Sequence, residues 1–375
     1  MVNQHKVVGQ FPSNKTFDWS VLAELPLPRG KSIQPGLAGP VIGISKDYLF
    51  ISGGANFPSG MPWEGGKKMY HDDTYLLDLK GNKTKWITDD INKLHKPLAY
   101  SACISSKQGI ITMGGENDRG LSDEVHLFRY NPTRHILVQS ALPSLPVAVT
   151  NGCAAYHNDI VYFAGGETAN SVSNQFFALN VKQPGKGWIH LPALPVAVSH
   201  ALLIYQKNGS DPCLYLIGGR QKLSTGISDL FHSVYAYSLT TLRWIKKQSL
   251  PFPLSAASGV PYGKSGIMVF GGDTGETFHQ VELAMAAIHA ENDPVVKQKL
   301  TDQKNQLLAS HPGFSKAIWY YDVASDEWSS GGLIPFDSPV TTTACIWKST
   351  IILPCGEIRA GIRTPKILSI NLKKR

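Results

Sequence analysis

An apolar run that closes on a pair of glycines recurs along this chain, and no other feature constrains the fold as much. It occurs as Leu49–Gly54, Ile110–Gly115, Val161–Gly166, Leu214–Gly219 and Ile267–Gly272, and in a degenerate sixth form as Ile351–Gly356. Successive intact pairs lie 51 to 61 residues apart. Each is followed by a polar turn and a second strand, such as Thr74–Leu79 or Val234–Leu239. A third strand carries a tryptophan in most units (Trp86, Trp188, Trp244, Trp328), with Ile136 in its place in the second. A Pro-containing turn, such as Leu142–Pro146 or Leu191–Pro195, comes before each unit. Short strands repeated at a period near 50 residues predict radial four-stranded blades. The glycine pair suits a point where backbones pass closely or φ is positive, and the tryptophan suits the space between neighbouring blades.

This is the kelch pattern, and the fold class it predicts is all-β, a six-bladed kelch β-propeller. The units span about 27–95, 96–142, 143–192, 193–250, 251–333 and 334–375. The last unit ends at Ile367–Leu372 without a tryptophan-bearing strand, and Phe17–Leu22 at the other end of the chain supplies one. Residues 16–24 are therefore expected to complete the sixth blade and seal the ring, leaving no open edge between first and last blades. One interval breaks the period. Between about 280 and 311, Val281, Ala284, Met285 and Ile288, then Val296, Leu300, Gln303 and Leu307, follow helical spacing, with Asn292-Asp293-Pro294 between them. This predicts a helical hairpin inserted in blade five, either a packed decoration or a lid over one mouth of the channel.

Composition narrows the function. With 42% hydrophobic residues in 375, the chain buries a substantial core. No apolar run is long enough for a membrane span. The start, Met1–Lys6, has no apolar signal region, so the chain as given reads as cytoplasmic, or as periplasmic if a leader has been removed. The net charge of +8 is spread out, and Lys373-Lys374-Arg375 is too short for a nucleic-acid footprint. The five cysteines are far apart, without metal spacing, and read as buried thiols. The sequons at Asn14, Asn82 and Asn208 carry no weight.

The residues after the glycine pairs are Ala55, Glu116, Glu167, Arg220, Asp273 and Glu357, and five of the six are ionisable. Equivalent positions of a propeller form a ring about the axis, so these side chains either brace the turns beneath them or line a polar mouth. The segment Cys355–Thr364 places Glu357 and Arg363 on either side of a short turn. A carboxylate in a partly dry cavity serves as a general acid or base, and an arginine fork matches a carboxylate ligand. The same pair could equally be an ion pair bracing the turn. Lys67 and His71, in the long turn of blade one, either line the same mouth or are solvated loop residues.

Together with Gly53–Phe57 and Glu64–Tyr70, the Cys355–Thr364 segment resembles the sialic-acid mutarotases, or N-acetylneuraminate epimerases, which are six-bladed kelch propellers. The resemblance covers nearly the whole chain, in a cyclically permuted order: the Gly-Glu-x-x-x-Gly-Leu-Arg-Thr motif is mid-chain in prototype members and near the end here. It implies an isomerase that interconverts the α and β anomers of N-acetylneuraminate, with Glu357 as catalytic acid/base and Arg363 holding the substrate carboxylate. Asn56, Tyr100 and Arg220 are the further substrate-binding candidates. An acidic sugar is the implied partner, with no metal and no other cofactor. Cys355 and Ile362 depart from the family motif without removing the charged pair. The alternatives are a non-catalytic kelch module that binds a protein or a sugar, and a copper oxidase. The twelve histidines show no ligand spacing for the latter.

Overall fold

The computed structural model describes residues 9–10, 15–28, 30–81, 84–87 and 92–374. Met1–Lys6, Asn14, Asn82 and Arg375 lie outside the described residues. Six antiparallel sheets are arranged around an axis. Their innermost strands are Val41–Ser45, Ala102–Ser106, Cys153–His157, Leu202–Asn208, Ser258–Tyr262 and Cys345–Trp347. The first five adjoin one another in succession, and the last returns to the first. The apolar run of each repeat is the second strand, as in Tyr48–Ser52 or Gly266–Phe270, where all five residues are buried. Such a strand has a blade neighbour on each face, so it reads as a continuous apolar run.

Blade six is Cys345–Trp347, Thr350–Arg359, Ile362–Lys374 and, outermost, Lys15–Glu24. The N-terminal strand thus closes the ring, in antiparallel register from Lys15↔Lys374 to Glu24↔Lys366. Its Trp19 meets Phe270 of blade five edge to face at 6.3 Å. Gly9–Gln10 adds a parallel fifth strand to blade five.

The glycine pairs form the seams between blades. The second glycine donates its N–H to the segment leading into the next blade: Gly54 to the Leu98 carbonyl, Gly115 to Val149, Gly166 to Val198 and Gly219 to Leu254. The first has φ between 60° and 66° in all five intact pairs. A Cβ at Gly165 would lie 2.2 Å from the Val198 carbonyl oxygen, the acceptor of the seam itself. In the sixth unit Cys355 takes this position at φ 41°, and Gly356 donates to Leu37 of blade one. The tryptophans bridge the same seams farther out. The indole N–H groups of Trp188, Trp244 and Trp328 donate to the carbonyls of Pro143, Pro192 and Gln248, each at the end of the preceding blade.

The insert in blade five is two helices, α1 (Glu276–Ala290) and α2 (Pro294–Ala309). Helix α1 begins four residues before the expected start at 280, because the left-handed Gly275 turns the chain into the helix and its N–H donates to Asp273 Oδ1. Asp293 caps α2, accepting from the N–H groups of Val295 and Val296, with Pro294 in the first turn. Among the described residues no helix is long and apolar enough to cross a membrane.

Candidate active site

Six residues, one from each blade, form the throat of the channel: Gly39, Tyr100, Asn151, His200, Ala256 and Thr341. All six have φ between 51° and 60°. Their backbones are linked blade to blade, with Tyr100 N–H donating to the Gly39 carbonyl, Asn151 to Tyr100, His200 to Asn151, Ala256 to His200, and Gly39 to Thr341. Five non-glycine residues held in the left-handed region at equivalent places are a concentration of backbone strain of the kind found at functional sites. On one side of this throat lies the axial channel, walled by the inner strands. On the other is a cavity of about 390 Å³, at the mouth from which the residues following the glycine pairs project.

The structure brings all five ionisable residues of that set (Glu116, Glu167, Arg220, Asp273 and Glu357) to this cavity, with Tyr100, Asn151 and His200 from the throat. Each is fixed by a two-residue bridge to the segment before its blade's inner strand, as in Glu357↔Val340 and Arg220↔Ser199. Ala55 makes the same bridge without reaching the cavity wall.

Glu357 and Arg363 lie directly opposite one another on the second and third strands of blade six. The turn between them, with Gly361 at φ 72°, puts both side chains on one face. Glu357 Oε1 accepts from the Gly361 N–H at 2.9 Å, and Oε2 is 3.6 Å from Arg363 Nη2. Burial pushes the Glu357 carboxyl above its ordinary range, against the opposing charge of Arg363. The Arg363 side chain is 4% exposed, and its guanidinium lies 4.6 Å from the Phe57 ring. Its Nε and Nη1 have no hydrogen-bond partner among the described residues. A buried guanidinium with two unused donors is costly unless a ligand completes it, and the fork geometry suits a carboxylate. Burial raises the Tyr100 phenol to about 12 despite the neighbouring Arg363, so its hydroxyl is a neutral donor beside the pair.

Across the cavity is a second cluster. Arg220 Nη2 lies 2.9 Å from His200 Nε2 and 3.6 Å from Glu167 Oε1, and its guanidinium is 4.5 Å from the Phe278 ring of α1. Burial and the Arg220 charge lower the His200 pKa. Burial works to raise the Glu167 carboxyl, but His200, Arg220 and the Ser199 hydroxyl outweigh it and hold the group well below its usual range. Glu116 is engaged by Lys68 at 3.1 Å and by the Tyr70 hydroxyl at 2.7 Å.

Of the candidates named from sequence, Glu357, Tyr100 and Arg220 line the one cavity, and Arg363 adjoins the first two. Asn56 plays a different part. It is buried, its amide donates to the Gly36 carbonyl at 2.9 Å, and its Oδ1 is 2.9 Å from His71 Nε2. Gly36 lies so close to Thr364, next to Arg363, that a Cβ there would be 2.4 Å from the Thr364 carbonyl carbon. Asn56 and His71 therefore brace the seam behind Arg363, both polar ends of the amide being spent within the protein. It is Lys68, not Lys67, that reaches the mouth. Asn151 and Thr341 escaped sequence reasoning, although a signal exists: Gly39, Tyr100, Asn151 and Thr341 all stand 14 residues before the first member of their glycine pair or its substitute.

Fold and site together define a six-bladed β-propeller with a charged, ligand-sized cavity at one mouth of its channel. A match to the family described as N-acetylneuraminate epimerase covers residues 3–136 and 142–375, and the chain belongs to that family. Curated N-acetylneuraminate epimerases are similar over part of it. That of Brucella melitensis biotype 1 is 25% identical over 245 residues, 64% of this chain and 61% of the relative. That of Haemophilus influenzae strain PittEE is 25% identical over 226 residues, 59% and 57%. N-acetylneuraminate epimerase 1 of Escherichia coli O6:H1 is 25% identical over 239 residues, 60% and 59%. The chain thus spans about three fifths of the length of the curated relatives it matches. The solved structure described as "Structure of YjhT" superposes with a TM-score of 0.63 at 14% identity, over 94% of this chain and all of the other, and shares the fold.

Proposed function

We propose that this protein is a sialic acid mutarotase, an isomerase that interconverts the α and β anomers of N-acetylneuraminate. The observation that carries the reading is the buried Arg363 guanidinium, with two unused donors, beside a Glu357 carboxyl whose pKa is raised. In a sialic acid the anomeric carbon bears both a carboxylate and a hydroxyl. A carboxylate gripped by Arg363 brings that carbon within reach of Glu357. In its ionised form Glu357 takes the proton of the anomeric hydroxyl as the ring C–O bond breaks, and the ring oxygen receives a proton, directly or through water. This gives the open keto acid. Rotation about the bond to the carbonyl carbon and closure on its other face give the second anomer, with the proton transfers reversed and no net proton consumed. Tyr100, a neutral phenol against Arg363, donates to the substrate carboxylate or the developing alkoxide.

The test follows freshly released α-N-acetylneuraminate by proton NMR. Wild-type protein is expected to bring it to the α/β equilibrium well above the spontaneous rate, and Glu357→Gln to lose about two orders of magnitude or more of that acceleration. A wild-type rate equal to the spontaneous one sinks the reading. A fully active Glu357→Gln leaves the activity standing and removes Glu357 from its role.

A further inference from the structure

The mouth cavity is charged on the side of the blades and mainly apolar on the side of the insert. Phe278 and Val281 of α1, Leu308 of α2 and Phe314 beyond it form most of the second side, with Thr277 and His311 as its polar members. This wall is docked, not free. Glu282 of α1 is buried in a helix with no other buried residue, and its carboxylate accepts from Ser228 N–H at 2.9 Å and Ser228 Oγ at 2.7 Å, on the hairpin of blade four that also carries Arg220. Gly275, at the start of α1, meets Leu230 of the same hairpin, where a Cβ would stand 2.5 Å from the leucine side chain. One turn before Glu282, Phe278 is consequently pressed on the face of Arg220, whose edge is held by His200 and Glu167. The aromatic ring is oriented by two independent anchors, and α2 completes the wall with Leu308.

We infer that the insert is a specificity element: its apolar wall receives the methyl of the 5-N-acyl group, so the site selects N-acylated over 5-hydroxy nonulosonic acids. The inference rests on the mutarotase reading, which sets the pose. With the carboxylate on Arg363 and the anomeric carbon at Glu357, the far end of the sugar crosses the cavity toward Arg220 and the insert. That end carries a glycerol chain and an acetamido group. Asn151, Glu167, His200 and Asp273 on the blade side offer partners to hydroxyl groups. Phe278, Val281, Leu308 and Phe314 offer none, and the methyl is the apolar part of the sugar that fits them.

The experiment measures kcat/KM by NMR for N-acetylneuraminate and for its 5-hydroxy analogue, with wild type, Phe278→Ala and Leu308→Ala. Removing one apolar contact from a pocket of this kind is worth about tenfold in discrimination. The expected result is a roughly tenfold fall in the ratio of the two kcat/KM values in Phe278→Ala, expressed in KM, and a smaller fall in Leu308→Ala. Leu308→Ala alters the wall from the other helix, so a folding failure of Phe278→Ala leaves the question answerable. An unchanged ratio in a folded variant, with wild type active, overturns the inference alone. A wild type that accelerates neither sugar overturns the mutarotase reading and this inference with it.

Discussion

Glu357 and Arg363 face each other across two strands, yet what makes them a site is their unequal satisfaction. The carboxylate has a backbone N–H and a guanidinium beside it, whereas the guanidinium keeps two donors unspent. The pair was legible in the sequence as Glu and Arg flanking a short turn. Its burial was not, because that depends on Phe57 from blade one lying over blade six. The raised carboxyl sets the sign of the pH dependence. Glu357 loses its proton at a higher pH than an ordinary carboxyl near 4.5. Catalysis that needs the ionised form therefore falls as the pH drops through that raised value, with its acid limb above about 4.5. The pH profile of kcat, corrected for spontaneous mutarotation, checks this. An acid limb at or below 4.5 would mean that another group carries the limiting proton transfer.

Among the elements, the insert shows how far helical spacing can be trusted. The helical spacing of Val281, Ala284, Met285 and Ile288, and of Val296, Leu300, Gln303 and Leu307, predicted a hairpin near 280–311. The helices are there, but Met285 is 56% exposed and the buried residue of α1 is Glu282. A carboxylate goes inward because Ser228 supplies two donors there, and no helical pattern announces a partner 54 residues away. Glu282→Ala leaves those donors unpaired at a cost of about 1–3 kcal/mol, paid locally. Hydrogen exchange is expected to quicken in residues 276–309 while the amides of Asp211–Ile217 in blade four keep their protection. Equal loosening of both would show that the insert and the blade unfold as one unit.

Across the whole molecule, closure of the ring and integrity of the site are coupled. The strands that carry Glu357 and Arg363 belong to the blade completed by Lys15–Glu24, which pairs with Ile362–Lys374 along nearly its full length. Deleting residues 1–24 bares that edge and removes Trp19 from Phe270. The truncated protein is expected to lose the proposed mutarotase activity and to self-associate in light scattering, while a stoichiometric peptide of residues 15–24 restores part of both properties. A truncated protein that stays monomeric and active would show that the sixth blade stands without its outer strand. A ring of equivalent seams can be opened at any junction, which is the physical reason a cyclically permuted order of blades is reasonable here.

The sequence by itself determined the repeat, and through it the blades, the seams, the closing strand and the equivalent positions that ring one mouth. Those follow from local chemistry: glycine pairs where a Cβ would strike the next blade's carbonyl, tryptophans with a carbonyl to reach, and apolar runs buried on two faces. Only the tertiary structure decided which members of the ring are spent and which are free. Asn56 braces a seam, Arg220 is tied to His200 and Glu167, Glu116 is held by Lys68 and Tyr70, and Arg363 keeps two buried donors open beside a raised carboxyl. That choice depends on contacts between blades and with the insert, hence on distances in space that no spacing along the chain encodes.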